Sequence, residues 1–563
     1  MANYVELEKN IKSIIDDLKG LCSTNGLSNT AGEEIVVTSV FLYKFLNDKF
    51  ISNLRKFVKD VTKQDLNGEE LDKKVAEFAE DEDMMDAFYD NYPQDVAFAY
   101  EDTIDYLVGF VNDDNFYKKF DDTLIRISNY KQNDDFNVDT AEGTKKPLFT
   151  PLTDYIEPSK RNAFVKSIFS YITRDRFDFG EAFDSNYDFF STIFEYLISD
   201  YNVASGKYAE YFTPQALSKA IGQILVGMSP VEDTIYDIYD PSAGSGSLVL
   251  HLANELGDGK FGNKARVYTQ DISQKSSRFL RINMLLNGLK ESLANIIEGD
   301  TLMAPSHFKK KGDNTSGLKK FDYITSNPPF NTDFSSTRDD IENNWNSTDR
   351  FFAGIPNVPK KKKESMAIYL CFIQHILYSL KEKGKAAIVV PTGFITAQNG
   401  IEKAIRERII ERKWLRGVVS MPEKIFANTG TNVSVLFIDK SNQNGEVLLM
   451  DATKLGRKEK VGKNQKTVLS QEELDLIVNS FIHNDVIDGF TALVTYDQIS
   501  SKHFSFAAGQ YFRVDLKEKE TTAEEFEKKI STLKQSINEK FAKNDELEQK
   551  IKEGLEALKH ELP

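Results

Sequence analysis

Four consecutive residues, Asn327-Pro328-Pro329-Phe330, follow Ser326 and combine two carbonyl acceptors with an aromatic face. An exocyclic amine such as adenine N6 is a poor nucleophile, because its lone pair is delocalised into the ring. The Asn327 side-chain carbonyl and the Pro328 backbone carbonyl can each accept one of its N–H groups. That draws the nitrogen toward sp3 geometry and frees the lone pair for in-line attack on a methylsulfonium. No strong base is needed beforehand, since the proton becomes acidic once the methyl is attached. Prolines stiffen the backbone, so the acceptors are held in place before the substrate arrives. Phe330 offers a face on which a flipped base stacks. The competing reading is a proline-rich turn that closes a strand.

A glycine-containing loop, Asp240-Pro241-Ser242-Ala243-Gly244-Ser245-Gly246-Ser247, lies upstream between a strand pattern and a helix pattern. Glycines there permit a tight turn and a close backbone approach to a ligand. On its own the loop reads equally well as a structural turn. Its company raises it: Asp271 lies 31 residues after Asp240, Asp300 lies 29 after Asp271, and Asn327 lies 27 after Asp300. An acidic residue ending the second strand commonly accepts from ribose hydroxyls, and Asp300 can accept from an adenine amine. The pattern describes a nucleoside cofactor lying across strand ends. The Gly-x4-Gly-Lys-Ser/Thr phosphate loop is missing, which argues against ATP in that mode. Further upstream, Ala209-Glu210-Tyr211-Phe212-Thr213-Pro214 places aromatic and hydroxyl groups before a helix, where they can hold a methionine moiety; alone, this is a plain helix start.

Positioning such residues requires alternating strands and helices, and 201–440 has that texture. Apolar runs at Thr234–Tyr239, Arg266–Thr269, Ala294–Ile297, Phe321–Thr325, Lys385–Val390, Leu415–Ser420 and Val433–Ile438 alternate with helical patterns. This predicts an α/β fold with parallel βαβ units and a ligand beyond the carboxyl ends of the strands. Residues 1–200 read as α-helical, with Tyr4 to Leu18 on one face before Gly20, and further helical patches at Ile35–Phe45, Val75–Tyr89 and Asp184–Asp200. Polar breaks at Gln132–Asp139 and Thr140–Lys146 separate the patches. Near the C-terminus, Phe526, Ile530, Leu533, Ile537, Leu547, Ile551 and Leu558 follow heptad spacing, while Phe541 and Leu555 fall one place off it. This predicts a long helix with a coiled-coil-like seam, either docked on its own domain or paired with another chain. The expected divisions are a helical domain at 1–200, a catalytic domain at 201–515 and a docking helix at 516–563.

The chain of 563 residues carries a net charge of −16, which argues against a nucleic-acid partner only if the charge is evenly spread. It is not: residues 61–140 hold 22 Asp or Glu against 7 Lys or Arg, a net of −15. The acidic segment is expected to face solvent or a partner, away from any nucleic acid. Lys309-Lys310-Lys311, Lys319-Lys320 and Lys360 to Lys363 bracket Asn327 in sequence and are read as phosphate contacts or as solvated loops. Two distant cysteines, Cys22 and Cys371, exclude a disulfide framework and a multi-cysteine zinc site. His251 and His375 are isolated, and no metal is expected. No apolar run approaches the ~20 residues that span a bilayer. With a polar start at Met1 to Asn10, the expected location is the cytoplasm, without a membrane partner.

These motifs, in this order, resemble those of the modification (methyltransferase) subunits of type I restriction–modification systems, within the N6-adenine DNA methyltransferase family. The resemblance rests on Tyr211 to Pro214, Asp240 to Gly246, Gln270-Asp271-Ile272, Gly299-Asp300-Thr301-Leu302, Asn327 to Phe330, and Met421-Pro422 with Phe426 and Thr429-Gly430. Ala209 replaces a usual Gly, and Asp271 replaces a common Glu. The resemblance implies a Rossmann-like methyltransferase domain that uses S-adenosylmethionine, with adenine in duplex DNA as acceptor. It implies catalysis by Asn327, Pro328, Pro329 and Phe330. It implies cofactor contacts by Tyr211, Phe212, Thr213, Asp240, Ser242, Gly244, Gly246, Ser247, Asp271, Ile272, Asp300 and Thr301. It implies assembly with a specificity subunit, two copies of this chain to one, and with a restriction subunit in the full complex. Two other readings stay open: a methyltransferase acting on protein glutamine, which shares an Asn-Pro-Pro-aromatic motif, and a non-catalytic protein retaining the fold.

Overall fold

Four apolar runs that stop before Asp240, Asp271, Asp300 and Asn327 become strands that stop at one edge of a sheet. The computed structural model describes the chain except residues 1, 29, 94, 141–144, 175–176, 181–182, 184–191, 198–212, 258–263, 311–312, 346, 426–431, 444, 462–463, 513–522 and 561–563. The chain forms two compact units, Met1–Phe512 and Arg513–Pro563.

Among the described residues, the main sheet of the first unit has eleven strands: β1 (Val138–Thr140), β2 (Lys145–Lys146), β3 (Tyr236–Asp240), β4 (Ala265–Asp271), β5 (Ile296–Glu298), β6 (Phe321–Ser326), β7 (Leu380–Pro391), β8 (Leu415–Ser420), β9 (Val433–Asp439), β10 (Val447–Asp451) and β11 (Thr491–Val494). Their spatial order is β11-β10-β8-β9-β7-β6-β3-β4-β5-β1-β2. From β7 through β6, β3, β4 and β5 to β1, every neighbouring pair is parallel. Residues alternate across the sheet. Ile238 packs with the helices Gln215–Gly227 and Ser247–Leu256 on one face, while Tyr239 packs with Tyr369–Ser379 and Gly400–Glu411 on the other.

The seven strands expected from the sequence all form, but the sheet is mixed rather than wholly parallel. β9 runs antiparallel to both β7 and β8. An antiparallel neighbour needs no crossover helix, and none lies between Ser420 and Val433 among the described residues. The polar stretches read as breaks in the front half instead carry β1 and β2. β2, the last strand, has one side open to water and tolerates polar residues, and its Lys146 pairs with Glu298 of β5 at 2.7 Å.

The front is helical otherwise. Ala2–Thr24 runs past Gly20, because Cys22 continues its buried face and a glycine at an exposed helical position costs only about 1 kcal/mol. The Val75–Tyr89 patch is two helices, Gly68–Ala79 and Glu82–Asn91, the second capped by the Asp81 carboxylate accepting from Met84 N–H. Asp184–Asp200 falls mostly outside the described residues. Part of the acidic segment is internal. Asp102 is fully buried and accepts from Arg126 Nε (2.8 Å), Tyr130 OH (2.6 Å) and the Ala99 amide (3.0 Å). Asp121 accepts from the Leu152 amide at 2.8 Å. Asp83, Asp86 and Asp90 are exposed, as expected.

Among its described residues, the second unit contains one helix, Ala523–His560. Its apolar stripe is open to solvent: Phe526, Leu533, Phe541 and Ile551 are each more than half exposed. Among the described residues, no helix is long and apolar enough to cross a membrane, and no His, Cys, Asp or Glu cluster could hold a metal.

Candidate functional site

β6, β3, β4 and β5 are consecutive parallel neighbours, so their carboxyl ends share one edge. Asn327, Asp240, Asp271 and Asp300 therefore stand in that order along it. Three strand spacings give the row a length of roughly 14 Å, the scale of a nucleoside.

The loop after β3 turns back over this edge through left-handed glycines, with φ of +54° at Gly244 and +84° at Gly246. A side chain at Gly246 would run into Leu280, whereas one at Gly244 would meet nothing within 4 Å. Gly246 is thus required by packing, and Gly244 borders open space. The Asp271 carboxylate fixes the loop from the neighbouring strand, accepting from Gly244 N–H at 2.9 Å and from Ser273 N–H at 2.8 Å. Asp240 is buried within its own turn and accepts from Ser242 N–H at 3.0 Å. Burial pushes the Asp240 carboxyl well above the usual carboxylate range, and the nearby Asp271 charge adds to this. Burial also raises Asp271, against its two N–H donors. Ile272 is 71% exposed, an apolar surface beside the carboxylates. Ser247 stands at the start of its helix, where its hydroxyl meets Ser218 Oγ at 3.0 Å.

Two cross-links join this half to the Asn327 segment. Ser242 Oγ lies 2.7 Å from Ser326 Oγ. Asn327 Nδ2 donates to Thr213 Oγ1 at 3.2 Å, and both residues are buried. Thr213 thereby holds the amino end of the amide and sets which way its carbonyl points. Pro328 is buried, and Pro329 and Phe330 are partly open. The Phe330 ring stands edge-on to Tyr369 (6.3 Å between centroids), which stands edge-on to Phe394 (6.2 Å). The structure brings together Thr213, Asp240, Ser242, Gly244, Asp271 and Asn327. Tyr211 and Phe212 lie outside the described residues, as do Phe426, Thr429 and Gly430.

Asp300 Oδ1 accepts from Leu302 N–H (2.8 Å) and Met303 N–H (3.2 Å), and Thr301 Oγ1 donates to Pro241 O at 2.7 Å. Beneath this turn lies a residue that the sequence did not reveal. Arg350 is fully buried and donates to Thr301 O (2.8 Å), Leu302 O (3.0 Å) and His375 Nδ1 (3.1 Å). Burial pulls its guanidinium down to about 10, so it stays charged at neutral pH. Burial and this neighbouring cation hold His375 well below the usual histidine range. His375 is thus neutral and accepts the Arg350 N–H, a structural role that replaces its apparent isolation. Only one spatial neighbourhood marks Arg350, and neither periodicity nor motif spacing does. Hydroxyls just after β7 and from β9 and β8 also meet at this edge: Thr392 with Ser434 at 3.3 Å, and Ser434 with Ser420 at 3.4 Å.

The lysines sort differently from the expectation. Lys319 pairs with Asp237 (2.8 Å) at the start of β3, and Lys320 reaches the Tyr378 carbonyl, with burial and Lys440 pulling its amine down to about 8. Both precede β6, whose six residues put them roughly 20 Å from Asn327 at the opposite edge. Lys309 acts on Lys320 there. Lys360 to Lys363 are exposed; the Asp333 carboxyl is held below the usual range first by hydrogen bonds from Ser335, with Lys363 a lesser contributor.

The profile of the N-6 DNA methylases matches residues 185–522. The methylase subunit of the type I restriction enzyme MpnII from Mycoplasma pneumoniae is 30% identical over 387 residues, covering 68% of this chain and 67% of that protein. The HindI methylase subunit from Haemophilus influenzae is 26% identical over 388 residues, covering 66% and 79%. A type I restriction–modification methyltransferase subunit from Streptococcus thermophilus superposes with a TM-score of 0.66 at 22% identity, covering 90% of this chain and 100% of that one. A modification subunit from Vibrio vulnificus gives 0.53 at 14% identity, covering 87% and 93%. These two structures share the fold.

Replacing Arg350 with Met keeps the stem and removes three donors. Amide exchange at Leu302 and Met303 is expected to speed up at least tenfold, the ~1.4 kcal/mol worth of one such hydrogen bond. Unchanged exchange, measured by mass spectrometry on the folded variant, contradicts its role as the support of the Asp300 turn.

Proposed function

Since the chain belongs to the N-6 DNA methylase family, we propose that it transfers the methyl group of S-adenosylmethionine to N6 of a flipped adenine in duplex DNA. It does so as the methyltransferase subunit of a type I restriction–modification complex. A separate specificity subunit selects the site, with two copies of this chain per specificity subunit and a restriction subunit in the full assembly. The observation that carries this reading is the position of Asn327 to Phe330, leaving β6 in line with Asp240, Asp271 and Asp300.

The residues present fit the cofactor. Open space beside Gly244, the exposed Ile272 and two carboxylates at adjacent strand ends suit a nucleoside. Tyr211, Phe212 and Thr213 are assigned to the methionine moiety, with Asp240, Ser242, Gly244, Gly246 and Ser247 around it. Asp271 is assigned to the ribose, Ile272 to the face of the adenine, and Asp300 and Thr301 to its amine edge. The bound cofactor supplies an electrophilic methyl on sulfur. The protein's part is to hold the acceptor amine: Asn327 Oδ1 and Pro328 O each accept one N6–H, and Phe330 supports the base face. The acceptors are fixed by Thr213 and by the prolines, so little reorganisation accompanies the attack. With the donor's S–CH3 bond broken and its electron pair left on sulfur as a neutral thioether, the methylated N6 carries the positive charge and loses one proton to solvent. Residues 1–200, 201–515 and 516–563 are assigned to the helical front, methyl transfer and docking. The exposed stripe of Ala523–His560 fits a coiled-coil-like contact with the specificity subunit.

Asn327→Ala is expected to reduce methyl transfer by at least a hundredfold while leaving cofactor affinity within a few-fold. Labelled cofactor followed by nucleoside digestion checks this; full activity in the variant refutes the role of Asn327, and label on protein glutamine refutes the substrate. Removing 516–563 is expected to abolish co-purification with the specificity subunit without altering cofactor binding by calorimetry. Retained co-purification refutes the docking role.

A further inference from the structure

Beyond β10 the chain makes a two-stranded antiparallel ribbon, Arg457–Val461 paired with Asn464–Val468. β10 is parallel to β8, with Asp451 beside Ser420, and Ala452 N–H donates to Ser420 O at 2.9 Å. β8 in turn runs the same way as β7 and β6, since β9 is antiparallel to both of its neighbours. The ribbon therefore rises from the edge that carries Asn327, three to four strand spacings along it, roughly 14–19 Å.

Cross-strand partners share a face. Lys458 pairs with Thr467 and Lys460 with Gln465, so these four residues form one face of the ribbon. Lys424, in the turn after β8, reaches Gln465 Oε1 at 3.5 Å and adds a third amine to its rim. Glu459, the only acid on the described strands, lies on the other face, where it pairs with Arg457 at 2.7 Å. Lys458 and Lys460 are exposed and make no ion pair among the described residues. This is the reverse of the lysines at the far edge, which are tied to Asp237 and to a carbonyl.

The ribbon's base is fixed. Thr467 donates through its amide to Lys424 O (3.0 Å) and through its hydroxyl to Glu423 O (2.6 Å). Gly456, at φ +83°, donates its N–H to Glu473 Oε1 at 2.7 Å, and a Cβ there would meet Thr467 Cγ2 at 2.6 Å. A cationic surface held by its backbone contacts anions without first having to be ordered.

We propose that the Lys458–Lys460 face, with Lys424 at its rim, contacts the phosphate backbone of the duplex whose adenine is presented to Asn327. The separation falls within one helical turn of DNA, ~34 Å, so the same duplex reaches both. Phosphate contacts of this kind position the duplex and carry no sequence information, in keeping with a subunit that leaves site selection to another chain. The inference rests on the reading of the chain as a DNA methyltransferase.

The test uses the full chain, a fluorescent duplex and a salt series, comparing wild type with Lys458→Ala/Lys460→Ala. Each lost phosphate contact removes about 0.9 from the slope of log affinity against log salt, so the double variant is expected to lose a slope of about 2. Its affinity at low salt should fall at least tenfold, with cofactor affinity unchanged. An unchanged slope overturns the proposal, as does a wild-type chain that does not bind the duplex at low salt. Displacement of the duplex by polyglutamate as readily as by unlabelled duplex also overturns it, pointing to an acidic protein partner. N6-methyladenine formation by the wild-type chain with its specificity partner separates the two failures. If DNA is methylated and the slope is unchanged, the ribbon alone fails; if no methylation occurs, the underlying function fails.

Discussion

Parallel pairing of β6, β3, β4 and β5 is the constraint from which the site follows. Each strand leaves the core at the same edge, and each is followed by a side chain that accepts hydrogen bonds. A single antiparallel member among the four would carry its polar residue to the far side of the sheet. The antiparallel β9 lies outside this group, beyond β7, where its reversed direction brings Ser434 to the same edge instead.

Around this row, the fold uses hydrogen bonds between loops rather than extended packing to set geometry. Asp271 grips the Gly244 turn, Ser242 meets Ser326, Thr213 holds the Asn327 amide, and Thr301 holds Pro241 O. Beneath them, Arg350 spends its charge on two backbone carbonyls and a neutral imidazole. A buried cation is costly unless its donors are satisfied, so this network fixes the segment after Asn327 against the turn that carries Asp300. The front half adds β1 to the edge of the same sheet, so the helices and the strand-end row form one compact unit.

Much of the row was legible because an apolar run that ends in Asp or Asn marks both a strand and its carboxyl end. Asp240, Asp271, Asp300 and Asn327 mark the ends of four strands in this way, and the other three runs, Lys385–Val390, Leu415–Ser420 and Val433–Ile438, show as strands by apolar composition alone. Direction was not legible at β9, because a buried antiparallel strand is as apolar as a parallel one. β1 and β2 were hidden by polar composition, and Arg350 by a lack of pattern. Lys319 and Lys320 misled for a geometric reason: neighbours in sequence across a strand sit at opposite edges of a sheet. The helix Ala523–His560 was foreshadowed by its heptad spacing, since apolar residues that recur every three or four positions share one helical face.

The claim that one edge of the sheet holds both cofactor and target amine is tested most directly by a structure of the full chain with S-adenosylhomocysteine. Ribose hydroxyls are expected on Asp271, the adenine amine on Asp300, and the sulfur end directed toward Asn327. A ligand lying in the reverse direction, or bound away from Asp271 and Asp300, would contradict it.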